Sequence, residues 1–172
     1  IDTFKPDVSA VLNITPDHLN RHHTMENYVA AKESIAKNQE ADSRCILNYE
    51  DSYTRDFGQR IKAEAFYFSS ARKLEKGIYL QGDEIHLADK GEDKVLLSIH
   101  EMKLLGLHNV ENVMAAIALT YSIGIPLPNI IATVKEFKAV EHRIEYVATK
   151  NGVEYYNDSK GTNPDAAIQG IK

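Results

Sequence analysis

Disulfides are the first thing this sequence does without. Its single cysteine, Cys45, has no partner within the 172 residues, which excludes a disulfide scaffold and makes a reducing cytosol the simplest compartment. In the run Arg44-Cys45-Ile46-Leu47 that cysteine reads as a small buried apolar residue. No stretch approaches the roughly 18 consecutive apolar residues of a membrane span, and no charged-then-apolar leader opens the chain, so membrane insertion is not expected. A basic excess is also missing. Lys and Arg number 20 against 25 Asp and Glu, a net charge of −5, which argues against a nucleic-acid partner. Long charge runs, internal repeats and low-complexity segments are absent, and 43% of residues are apolar, the balance of a globular chain. The phosphate-cradling spacing Gly-x-x-x-x-Gly-Lys-[Ser/Thr] does not occur.

What is present is an alternation of strand and helix signals. Residues 8–14, VSAVLNI, lie between Pro6 and Thr15-Pro16 and are expected to form a buried strand. The polar string Thr15 to His23 follows. Thr24 is then placed to cap a helix over residues 24–37 with Glu26 in its first turn. With a second strand expected at 45–49, this order indicates an α/β layer. Between residues 64 and 100 the period drops to two in AFYF, GIYL, EIHL and VLLSI, and Gln81-Gly82-Asp83 signals a turn, which predicts a small antiparallel section. Helical spacing returns over 109–123 with Val113, Ala116, Ile117 and Thr120 on one face. Gly124 stops that helix, and Pro126 and Pro128 introduce another over 129–137. Lys150-Asn151-Gly152 then joins two short strands in a hairpin. Glu141-His142-Arg143 is the expected joint between a domain over 1–140 and the beginning of another over 141–172, since a hairpin and one helical turn do not make a core of their own. The chain opens on Ile1 and stops just as an amphipathic pattern begins; these ends suggest a piece of a longer enzyme.

Four polar clusters could carry chemistry. Asp17, His18, His22 and His23 leave the carboxyl end of a strand, where open α/β sheets place their ligands; their spacing matches no zinc pattern, and a solvated loop accounts for it equally well. Lys32 shares a helix sector with Tyr28 and Ile35. Either its stem packs while its charge reaches water, or the amine is held neutral and modified to an anion able to hold a metal. Asn157 to Asp165 follows a strand and precedes a helix, so Lys160 and free backbone N–H groups there suit phosphates or carboxylates, while Asn163 or Asp165 as an ordinary cap explains the same residues. Asn109 and Asn112, three apart at a helix start, bring the donors and acceptors that an adenine edge requires, with capping by Asn109 as the plainer account.

Taken in order, the phrases LNITPDHLNRH, ENYVAAKESI, GLHNVENVMAAIAL, EHRIEYV and NGVEYYNDSKGTNPDAA resemble the Mur ligases of peptidoglycan precursor synthesis. The resemblance spans residues 11–167, with the antiparallel middle the least diagnostic part. It implies an α/β fold: part of a central ATPase-type domain with a small antiparallel section, then the start of a Rossmann-like C-terminal domain. The wording NDSKGTNPDA further implies the branch that adds D-glutamate. The activity implied is that of an ATP-dependent amide ligase of the bacterial cytoplasm, with UDP-MurNAc-L-Ala and D-glutamate as substrates, Mg²⁺ as a cofactor and a monomeric parent enzyme.

By the same resemblance His18 is a metal ligand and Lys32, as a CO₂-derived carbamate, another. Asn109 and Asn112 lie near the adenine, His142, Arg143, Asp158 and Lys160 around the ribose and phosphates, and Thr162 near the incoming D-glutamate. Asn20 departs from the family's aspartate in DHLDRH and is not expected to bind metal. The family's phosphate loop, its glutamate-bearing metal segment, its UDP-binding domain and most of its C-terminal domain are expected outside these residues. Rival readings are a sibling Mur ligase, a folylpolyglutamate synthase, or a non-catalytic nucleotide-binding module.

Overall fold

A computed structural model of the chain describes residues 2–104, 106–138, 145–161 and 167–168. Its frame is a six-stranded sheet in sequential order: β1 (Val8–Val11), β2 (Arg44–Asn48), β3 (Glu64–Ser69), β4 (Gly77–Gln81), β5 (Glu84–Asp89) and β6 (Glu92–Ser98). The first four strands are parallel and the last two antiparallel. The antiparallel section is therefore smaller than the alternation over 64–100 implied. Residues 65–68 alternate in burial as an antiparallel strand would, yet they form β3, parallel to both neighbours. Period two reports two faces of different depth and says nothing about strand direction.

Crossover helices link the first three parallel strands, while residues 70–76 join β3 to β4 without one. A short helix α1 (Leu19–His22) and α2 (Met25–Glu33) join β1 to β2, and α3 (Ser52–Gly58), which the sequence reading lacked, joins β2 to β3. Thr24 caps α2, its hydroxyl accepting from Asn27 N–H at 3.2 Å. The helix ends at Glu33 and tightens into a 3₁₀ turn over Ser34–Ala36, so the helix expected to residue 37 closes in tighter geometry. β1 stops at Val11, three residues short of expectation; the rest of the apolar run serves the loop, where Ile14 is buried.

Both sheet faces are covered, and β2 shows why. Cys45, Ile46 and Leu47 are each fully buried, the near-continuous apolar run of a parallel strand packed on both sides. Ile46 joins Phe66, Phe68 and Ile78 beneath Val110, Met114 and Ile117 of α4 (Leu107–Ser122). Cys45 and Leu47 point the other way, into a cluster with Val11, Ile14, Tyr28, Ala36 and Phe57. Each large side chain so buried contributes about 1.5–3 kcal/mol relative to exposure. Burial pushes the Cys45 thiol above its ordinary range, and the sulfur accepts from Ser9 Oγ at 3.3 Å. On α4 the expected face holds for Val113 and Ile117 but not for Ala116, which is exposed; Val110, Met114 and Ala118 complete the stripe. Gly124, at φ 86°, ends the helix region before α5 (Leu127–Glu136).

Polar contacts fix both the sheet's lower end and its antiparallel tip. Arg44 pairs with Glu64 at 2.7 Å and lies over the Phe66 ring at 4.5 Å. Asp93 on β6 accepts from Lys73 and from the buried Tyr79 hydroxyl, both at 2.7 Å, with the His86 ring 3.3 Å away. Separately, β7 (Glu145–Lys150) and β8 (Val153–Asn157) pair antiparallel about the Asn151-Gly152 turn, whose φ values of 53° and 77° give the expected two-residue hairpin. The expected domain joint lies outside the described residues.

The hydrogen bond from Lys73, joined by that from Tyr79, lowers the Asp93 carboxyl from 3.8 to about 2. A carboxyl lowered in the native state stabilises the fold above its unfolded value and loses that contribution as pH falls. Thermal melts from pH 5 to pH 2 should therefore show an acid-side decline that is shallower in Asp93→Asn than in the parent chain, the difference accruing below pH 3.8.

Candidate functional site

Parallel pairing brings the carboxyl ends of β1 and β2 side by side, Val11 opposite Leu47. From β1 the chain leaves through Leu12 to Asp17 and enters α1 at His18, which adopts a left-handed conformation at φ 53°. Its backbone N–H donates to Asp17 Oδ1 at 2.7 Å. At the far end of α1, His23 sits at φ 66°, ψ −39°, and Thr24 N–H donates to His22 C=O at 2.8 Å. That is a γ-turn of the uncommon positive-φ kind. Two non-glycine residues at positive φ thus bracket four helical ones, and such strain gathers where position matters.

Tyr28 is the pivot of this region. Its ring is buried and lies one helical turn before Lys32, whose Nζ stands 5.3 Å from the ring centroid. The His22 ring is 5.3 Å from it in a tilted contact, and the His18 ring 6.5 Å from it edge-on. The two expected metal residues, His18 and Lys32, thus each approach one aromatic side chain. Beside Lys32 opens a cavity of about 360 Å³ lined by Ala10, Val11, Leu12, Asn13, Lys32 and Ile35. Lys32 is half-buried, whereas Ala31 is exposed and lies off the packed face. His18 keeps 68% of its side chain exposed, open to whatever approaches the edge of the sheet.

Asn109 and Asn112 fall in the first turns of α4, but not as caps: the helix begins at Leu107 behind Gly106, at φ 88°. The reading of Asn109 as a cap is thereby corrected. Asn109 is buried, while Asn112 is exposed and lines an apolar cavity of about 300 Å³ with Leu104, Val113, Ala116, Thr133, Val134 and Phe137. Asp158 and Lys160 follow β8 in a turn closed by Gly161 N–H donating to Asp158 C=O at 2.9 Å. His142, Arg143 and Thr162 lie outside the described residues, as do Asn163 and Asp165.

The sequence reading missed the acidic and hydroxyl residues at the exits of β2 and β3. Glu50 receives Ser69 Oγ at 2.6 Å and a two-pronged hydrogen bond from Arg72 at 2.9 and 2.8 Å. Burial raises its carboxyl, but Arg72 and Ser69 outweigh that and hold it below the ordinary value. Ser70 Oγ donates to Glu111 Oε1 at 2.5 Å, tying the β3 exit to the start of α4. Asp51 accepts from Thr54 N–H at 3.0 Å and from Ile14 N–H at 2.8 Å. The available signal was Asp51-Ser-Tyr-Thr54 behind a strand, a helix start passed over because α3 is short. A larger cavity, about 780 Å³, lies at the opposite ends of β1 to β3; its Arg44, Glu64 and Asp89 are engaged with one another, so it is kept apart from this site.

Against known proteins, the profile of the Mur ligase middle domain matches residues 1–120. The chain belongs to the Mur ligase family. Enzymes called UDP-N-acetylmuramoylalanine--D-glutamate ligase from Lachnospira eligens and Lachnoclostridium phytofermentans are 58% and 56% identical to it over all 172 residues. The chain spans 38% of the length of each. Among solved structures, MurF from Acinetobacter baumannii superposes with a TM-score of 0.72 at 19% identity, over 95% of this chain and 36% of the other. MurC from Thermotoga maritima does so at 0.67 and 23%, over 96% of this chain and 37% of the other. At those identities the likeness is one of fold, and it matches the mixed α/β architecture expected of a Mur ligase.

Removing the pivot while keeping its apolar volume tests the cluster. In Tyr28→Leu, the His18 and His22 ring resonances should move toward their positions in an unstructured peptide while those of His100 stay in place; unchanged His18 and His22 signals would dissolve the cluster.

Proposed function

We propose that this chain is the nucleotide- and metal-handling part of an ATP-dependent ligase that joins D-glutamate to UDP-N-acetylmuramoyl-L-alanine in the bacterial cytoplasm. Residues 1–140 belong to its central domain and 141–172 begin the next. The observation that supports this reading best is the convergence of His18 and Lys32 on Tyr28 at the carboxyl edge of the sheet, beside a cavity. D-glutamate as the amino acid is supported by the relatives that match the whole chain, which are D-glutamate ligases by name.

In the proposed reaction the substrate carboxylate attacks the γ-phosphorus of ATP, and ADP leaves. The D-glutamate amine then attacks the acyl phosphate carbonyl, forming the amide bond, releasing inorganic phosphate and losing a proton. Phosphoryl transfer depends on positioning and charge neutralisation more than on covalent help from the protein. Asn112 offers an amide to an adenine edge, while Val113 and Phe137 line the same cavity with apolar surface. Asp158 and Lys160 are proposed to meet the ribose and phosphates, together with His142 and Arg143, and Thr162 the D-glutamate.

Magnesium fits the residues present in part. Among the described residues no group of three or more His, Cys, Asp or Glu side chains could hold a metal. His18 offers one nitrogen. A carbamate on Lys32, formed when the neutral amine adds to CO₂ and releases a proton, would offer hard oxygens suited to Mg²⁺. This ion habitually completes its shell with water and substrate phosphates. When bound, it would neutralise charge on the phosphoryl oxygens.

Two outcomes are expected. The full-length Lys32→Ala enzyme should lose at least 10²-fold in turnover, with short carboxylic acids restoring part of it, and ¹³C-bicarbonate should give the parent enzyme a carbamate resonance that the variant lacks. Wild-type turnover in Lys32→Ala would remove the lysine from the site. The 172-residue chain alone should release no ADP in the presence of both substrates; release dependent on D-glutamate would overturn its placement as one part of the enzyme.

A further inference from the structure

Asp51 serves two chain segments with one carboxylate. Oδ1 caps α3 through Thr54 N–H at 3.0 Å, and Oδ2 accepts from Ile14 N–H at 2.8 Å. The second contact crosses from the exit of β2 to the exit of β1. Ile14 is only 3% exposed, anchored among Val11, Tyr28 and Leu47, so the loop leading to His18 is rooted at a side chain in the core and a backbone N–H on Asp51. Only Thr15, Pro16 and Asp17 separate that root from His18, and Pro16 fixes one of the intervening φ angles. Behind Asp51 the support is closed as well: Thr54 is fully buried and its hydroxyl donates to Asn48 C=O at 2.5 Å.

We propose that Asp51 is a positioning residue for the His18 loop, clamping Ile14 so that the imidazole is held at the carboxyl edge of the sheet. This rests on the reading of His18 as a metal ligand given above. It adds a residue outside the histidine and lysine clusters, one assigned to act through the loop. A ligand displaced by about 1 Å can cost on the order of 10²-fold in rate, so one hydrogen bond at the root of a short loop has leverage out of proportion to its own strength.

The variants separate clamp from cap. Serine is as good an N-cap as aspartate, yet its single short hydroxyl cannot also reach Ile14. Asp51→Ser in the full-length enzyme should therefore keep the α3 cap and lower the thermal midpoint by only a few degrees, the cost of one unpaired N–H, while Ile14 N–H exchanges at least tenfold faster. Its Mn²⁺ affinity, read by paramagnetic relaxation, should fall about tenfold, and kcat should fall with little change in KM for ATP. Asp51→Asn, with one acceptor oxygen for two donors, should lie between and stands in if the serine variant does not fold. Combined with His18→Ala, Asp51→Ser should weaken Mn²⁺ binding no further, because both act through one ligand. Parent-like Mn²⁺ affinity in both Asp51 variants, or full additivity with His18→Ala, would overturn the proposal. Should the parent enzyme prove inactive with D-glutamate, the functional reading falls, while Ile14 exchange and the Mn²⁺ cycle still decide the clamp.

Discussion

The register between β1 and β2 is the constraint on which the rest depends. One parallel ladder, Val8 against Arg44 through Val11 against Leu47, decides which side chains of β2 face α4 and which face α2 and α3. A slip of one residue would exchange them, sending Cys45 and Leu47 under α4 and Ile46 toward Tyr28. The same ladder sets the exits of the two strands side by side, so the histidine loop and the start of α3 emerge as neighbours. Core packing and site placement here are one fact seen from two ends of the sheet.

Much of this was legible in the residues. Residues 45–49 read as a strand with Cys45 buried because Cys45, Ile46 and Leu47 are apolar in succession, and the structure buries all three. Thr24 reads as a cap because Met25 to Glu33 holds no breaker. Asn151-Gly152 reads as a hairpin because both positions tolerate positive φ, and they adopt it. Where the reading failed, long-range physics was the reason. Strand direction for residues 65–68 depends on which partner arrives, and alternation is blind to that. α3 is seven residues long, short enough that its own propensity is marginal, and the Asp51 cap with the burial of Thr54 and Phe57 holds it.

Of the candidate site, the residue types were legible and their arrangement was not. His18 and Lys32 could be singled out by type and by their place after a strand and on a helix face, but the ring that joins them, Tyr28, looked like an ordinary core anchor. It is one, and its burial is what makes it a fixed reference for the groups around it. Asp51 was invisible for a related reason: with α3 too short to read, nothing marked it as a cap, and nothing in the sequence says that its second oxygen faces the loop beyond β1.

The order of the strands also bears on how the site is assembled. β4, β5 and β6 are joined by two-residue turns at Gly82-Asp83 and Lys90-Gly91, so their pairing closes small loops. By contrast, Ser9 and Cys45, partners across β1 and β2, are 36 residues apart. Entropy taxes the longer closure more heavily. The meander thus closes on short loops, whereas β1 must be brought to β2 across α2 and its 3₁₀ turn, so the ladder that places the histidine loop carries the largest closure entropy of the sheet.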